Sequence, residues 1–166
     1  MEPYKIRRWR RRSAFDPITF FTCARPGRSY GSQEDVQDED VDKWIARLPG
    51  GMVTSVVSLL GRKPDGMSEF SFYSFVGKFD TFAERGHRPS FQEWLDQRHL
   101  GRGIQVIEHP TVDFKPVPPE TLTAVASEID SLLLAGRTVV LVDSGGETRT
   151  KAVCKYIDFV EDSRAL

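Results

Sequence analysis

The chain predicts an α/β sandwich with a central, substantially parallel sheet flanked by helices. Three observations carry that expectation. Two nearly continuous apolar runs of strand length, TSVVSLL from Thr54 and TVVLV from Thr138, suit strands covered on both faces. Segments with apolar residues at helical spacing precede or follow them. Strand and helix alternate along most of the chain, which is how parallel strands are joined.

The first clear strand is ITFFTC, rich in β-branched and aromatic residues and closed by Arg25-Pro26-Gly27. A helix over about residues 37–48 follows, with Val41, Trp44, Ile45 and Leu48 at i, i+3, i+4 and i+7, and Pro49-Gly50-Gly51 ends it. TSVVSLL is the next strand. Ser90 with Glu93 three residues later makes a capping box, so a helix starts there with Phe91, Trp94 and Leu95 as its apolar face. Ile104 to Glu108 reads as a strand, and the proline-rich HPTVDFKPVPP cannot continue it. Pro119 suits the first turn of a long helix whose Leu122, Val125, Ile129, Leu132 and Leu133 share a face, with Gly136 as its C′ residue. After the TVVLV strand, a last helix from about Thr148 carries Val153, Tyr156, Ile157 and Val160 on one side.

At 166 residues the chain is expected to be one domain, residues 1–166, with a basic N-terminal segment over residues 1–13 and an aromatic-rich insertion over about residues 61–100. Six aromatics lie between Phe70 and Phe82, a pattern expected of core or lid. The formal charge is −1, so no global field points to nucleic acid. Locally, KIRRWRRR places six cations between Lys5 and Arg12, and EDVQDEDVD places six anions just before and within the first predicted helix. The basic run reads as a solvated strand or arm; a nucleic-acid or other anionic partner is the other reading of it. The acidic run suits the dipole at that helix start. Cys23 and Cys154 show neither disulfide nor zinc spacing, which leaves a reducing, cytoplasmic compartment as the expectation. No apolar run is long enough for a membrane span, and the charged N-terminus lacks the apolar core of a secretory signal.

The chemistry concentrates in the loop after TVVLV. Strand ends of this kind hold ligands in open α/β sheets. Asp143-Ser144-Gly145-Gly146-Glu147-Thr148-Arg149-Thr150 combines two glycines that let backbone N–H groups turn inward, a helix amino-terminus and an arginine fork, which together make an anion cradle. His109 reads as a satisfied structural histidine, His87 and His99 have no visible partner, and Cys154 reads as a small core residue.

These residues resemble the signature loop of the cysteine-dependent protein tyrosine and dual-specificity phosphatases: His-Cys, five residues with glycine third, then Arg-Ser/Thr. In that register Val142 falls on the histidine, Asp143 on the nucleophilic cysteine, Gly146 on the glycine, Arg149 on the arginine and Thr150 on the hydroxyl residue. Upstream, HPTVDFKPVPP is similar to the general-acid loop and puts Asp113 at the acid position. TFFTCARPG and TSVVSLL resemble the family's first strands, so the likeness covers most of the chain and is weakest over residues 61–100. It implies a phosphatase-like three-layer sandwich, phosphate contacts from residues 144–150 and no cofactor or metal.

The substitution at position 143 falls on the reaction itself. A carboxylate keeps the thiolate's unit charge but is a poor phosphorus nucleophile, and no Asp-x-Asp metal pair lies near the loop. The expectation is therefore a catalytically impaired, pseudophosphatase-like domain. Its loop either binds a phosphorylated protein or small phosphomonoester, or is filled by Asp143 pairing with Arg149. The alternatives are an active hydrolase using Asp143 or Ser144, and an interaction protein using the basic arm. Ser144 would shorten the loop spacing by one residue.

Overall fold

The structure is a computed structural model, which describes residues 2–7, 17–27, 38–61 and 90–165. Its strands are β1 (Glu2–Arg7), β2 (Pro17–Ala24), β3 (Thr54–Ser58), β4 (Gln105–Glu108) and β5 (Thr138–Asp143), in the order β1-β2-β5-β3-β4. Strands β2, β5, β3 and β4 run parallel, and β1 joins the β2 edge antiparallel. The helices among the described residues are α1 (Asp38–Ala46), α2 (Phe91–Gln97), α3 (Pro119–Leu134) and α4 (Thr148–Ala165). None of them is long and apolar enough to cross a membrane.

Alternation along the central strands divides the core into two layers. Val56, Val140 and Val142 face one layer, where Val41, Trp44 and Ile45 of α1 meet Phe91, Trp94 and Leu95 of α2. Val57, Val139 and Leu141 face the other, under Val125, Ile129 and Leu132 of α3 and Val153, Cys154 and Ile157 of α4. A strand buried on both faces has no polar side to show, so β3 and β5 read as continuous apolar runs. The expected α/β sandwich with a parallel sheet between helices is thus present.

Local signals decide where several elements start and stop. Ser90 Oγ accepts the Glu93 N–H at 3.1 Å while Glu93 Oε2 accepts the Ser90 N–H at 3.2 Å, closing the capping box of α2. Helix α3 begins at Pro119 and ends in a Schellman turn: Arg137 N–H donates to Leu132 O, Gly136 N–H to Leu133 O, and Gly136 has φ 79°. Asp38, Glu39 and Asp40 occupy the first turn of α1. There they meet both the helix dipole and Arg98, which grips Asp42 through two hydrogen bonds of 2.8 and 2.6 Å and lies 3.3 Å from Asp38.

Two boundaries differ notably from the sequence reading. Strand β3 stops at Ser58 rather than Leu60: Leu59 keeps only single backbone hydrogen bonds to the neighbouring segments, Leu60 turns back on Ser58, and both remain buried. Leu59 N–H donates to Val142 O, and Leu60 N–H to Ser58 Oγ. Apolar character recorded their burial, not their pairing. Helix α1 stops at Ala46, yet Leu48 still packs in the core. The basic segment supplies a strand, β1, over its first part. Residues 8–13, the aromatic cluster between Phe70 and Phe82, and His87 lie outside the described residues.

Candidate functional site: the loop after the central strand

Asp143 is the last residue of β5 and pairs in register with Ala24, the last residue of β2. Its backbone carbonyl accepts the Arg25 N–H at 2.9 Å, which ties the two strand ends together. Only 2% of Asp143 is exposed, so its carboxylate must find donors inside the fold. It finds three, all backbone. Oδ1 accepts the Gly146 N–H, and Oδ2 accepts the N–H groups of Arg149 and Thr150, each at 3.0 Å. The last two are orphan donors of the first turn of α4, where a negative charge is favoured by the helix dipole.

Gly146 makes that turn possible. It has φ 73°, and a Cβ there would lie 2.5 Å from Ala24 N and 2.7 Å from Cys23 C. Gly145 is different, with open space where a Cβ would go.

Arg149 is 4% exposed, and its guanidinium bonds residues other than Asp143. Nη1 donates to Thr111 Oγ1 at 3.0 Å and Leu59 O at 3.3 Å, and Nη2 donates to Asp113 Oδ1 at 3.2 Å. This corrects one expectation: Asp143 takes the Arg149 backbone N–H, and the guanidinium pairs with Asp113. The reason is geometric. A carboxylate at the strand end points into the helix amino-terminus and takes up its orphan N–H donors.

Asp113 Oδ1 also accepts the Phe114 N–H at 3.0 Å. Phe114 is held at φ 60° and is 82% exposed, an uncommon state for a bulky residue. Asp113, Phe114, Lys115 and Pro116 face Asp143, Ser144, Gly145, Glu147, Thr148 and Arg149 across a cleft of about 590 Å³. Thr150 Oγ1 donates to Glu147 O at 3.1 Å beneath it. The structure therefore brings every loop residue singled out in the sequence, together with Asp113, to one place.

Neither cysteine supplies a thiolate at neutral pH. Burial pushes the Cys23 thiol up to about 12, opposed by a hydrogen bond with Trp44 and reinforced by the nearby charge of Asp143. Burial likewise pushes Cys154 up to about 12, with Asp158 adding to the effect. A thiol so raised is inert at neutral pH. His109 is not the satisfied histidine expected: its buried Nε2 has no hydrogen bond and stands 3.8 Å from Glu128 Oε1. His99 lies in a short 3-10 turn, His99–Gly101.

Sequence reasoning missed Thr111. Its hydroxyl donates to Leu59 O at 2.5 Å and accepts from Arg149. The only available hint was a hydroxyl two residues before Asp113 in a strand-to-loop exit.

No protein-family model matches the chain, and no curated protein does. Among solved structures, the crystal structure of Tk-PTP in the active form is similar to this chain, with a TM-score of 0.46 and 19% sequence identity over 80% of this chain and 67% of that one.

Proposed function

We propose that this chain is a domain of the protein tyrosine/dual-specificity phosphatase type that is catalytically impaired, its signature loop filled at the floor by Asp143. One observation carries the reading: both carboxylate oxygens of Asp143 are engaged by the loop and helix N–H groups. A nucleophile needs a lone pair aimed at the reacting atom. Here the lone pairs that bind the donors are held at the floor. Asp113, at the acid position, presents Oδ1 to two N–H donors and so acts as an acceptor there.

A second reading, recognition of a phosphorylated protein or small phosphomonoester without turnover, is favoured by the open cleft. Gly145, Glu147 and Thr148 line it at the amino-terminus of α4, where backbone N–H groups and the helix dipole favour an anion. The two readings share the loss of catalysis and differ in whether an anion still enters.

Hydrolysis of a small aryl phosphate by wild type, Asp143→Cys and Arg149→Ala, with and without magnesium, tests the proposal. Wild type should be silent. Turnover in wild type that Arg149→Ala abolishes would overturn impairment. Turnover gained in Asp143→Cys would show that only the nucleophile is missing. Binding of inorganic phosphate to wild type, followed by calorimetry, separates the second reading from a wholly filled loop.

A further inference from the structure

The arginine of the cleft is held from outside its own loop, and the residues that hold it arrive by an extension of the β3–β4 ladder. Beyond the last paired residues, His109 N–H donates to Ser58 O at 2.8 Å and Thr111 N–H to Leu59 O at 3.2 Å. Gly61 passes so close that a Cβ would meet Thr111 O at 2.2 Å and Thr111 N at 2.7 Å, both backbone atoms. This zipper carries residues 111–113 over Arg149. Thr111 is 5% exposed, and its one hydroxyl proton is committed to Leu59 O. The hydroxyl oxygen can then only accept, and it accepts Arg149 Nη1 at 3.0 Å. Two residues on, Asp113 supplies the opposite charge at 3.2 Å from Nη2.

We propose that residues 111–113 form an intramolecular latch on Arg149: Thr111 is the positioning residue that fixes the guanidinium, and Asp113 is a resident anion that competes with any oxyanion entering the cleft. The Asp113 side chain is 15% exposed and that of Arg149 5%, so the pair is screened little by solvent. Phe114 marks the cost of closing the latch. Its left-handed backbone is stabilised by Asp113 Oδ1, the same oxygen that holds Arg149, so release of the ion pair also frees the strained turn. The anion-competition half deepens the phosphate-recognition reading above and rests on it, whereas the positioning half does not.

The test uses the full chain and two readouts. The first needs no ligand: nitrogen-resolved NMR of the Arg149 guanidinium. Restricted rotation should give separate Nη signals in wild type and in Thr111→Ser, which keeps the hydroxyl, and averaged signals in Thr111→Val. Averaged signals in wild type, or separate signals persisting in Thr111→Val, would overturn the positioning role. The second is calorimetric binding of inorganic phosphate and of tungstate. Asp113→Asn keeps an oxygen for the Phe114 N–H but removes the charge, and should tighten oxyanion binding about tenfold, within the usual range for coupled sites. Arg149→Ala in the same background should remove that gain. Unchanged or weaker binding in Asp113→Asn, including no binding at all, would overturn the competition. If the NMR result holds while no variant binds an oxyanion, the recognition reading fails and the positioning role stands.

Discussion

At the scale of single residues, the loop turns on one buried carboxylate. Asp143 offers two acceptor atoms, and each has its own set of backbone donors. The two neighbouring glycines look equivalent in the sequence but should answer substitution very differently. Gly146→Ala must hold φ 73° and push a Cβ into the backbone of residues 23 and 24, so a loss of about 2–4 kcal/mol is expected. Gly145→Ala meets open space and should change stability by less than about 0.5 kcal/mol. Urea unfolding of both variants checks this, and equal losses would mean that Gly146 is not packed as described. The loop itself was legible, because glycines, a strand end and an arginine form a local pattern. The distribution of contacts was not. Whether Arg149 reaches Asp143 or Asp113 depends on residues 36 positions apart in the chain. No spacing rule encodes that choice.

The same division holds for whole elements. Helix α2 could be placed from Ser90 and Glu93 alone, since a capping box acts within four residues, and both of its hydrogen bonds form. Strand β3 was overextended because burial and pairing leave the same apolar signature. A third feature had no local signature at all. Gln92, on α2, uses its side-chain amide to cap the edge strand β4: Oε1 accepts the Val106 N–H at 2.7 Å and Nε2 donates to Ile104 O at 2.8 Å. Among the described residues strand β4 stands at the sheet edge, where unpaired backbone groups invite other chains. Gln92→Ala should therefore cost about 1–2 kcal/mol, through one part-buried N–H left without its acceptor. Ser90→Ala should cost about 1 kcal/mol by opening the cap. Thermal melts measure both. Hydrogen exchange at the Val106 amide distinguishes them, since it should quicken in the Gln92 variant well beyond what the global loss explains.

At the scale of the whole molecule, pH bears on stability from two sides. On the acid side, the hydrogen bonds from Arg98 hold the Asp42 carboxyl below its usual range. A depressed folded value means a contribution present above the unfolded carboxylate pKa and lost as pH falls through the folded one. Both side chains are about a third exposed, so the effect is within about 1 kcal/mol and shrinks with salt. On the alkaline side the sign reverses. Both thiols are raised to about 12 by burial, while unfolded cysteine ionises near 8.5. Between those values the unfolded chain binds fewer protons than the folded one, so stability present at neutral pH declines as pH rises towards 12. Thiols raised in this way are little ionised at pH 8, so both should react slowly with a disulfide reagent there, buried Cys154 more slowly than half-buried Cys23, and in urea both should react at once. Fast stoichiometric labelling of native Cys23 would show that the thiol on β2 is ionised and accessible at pH 8, and the raised value would be overturned.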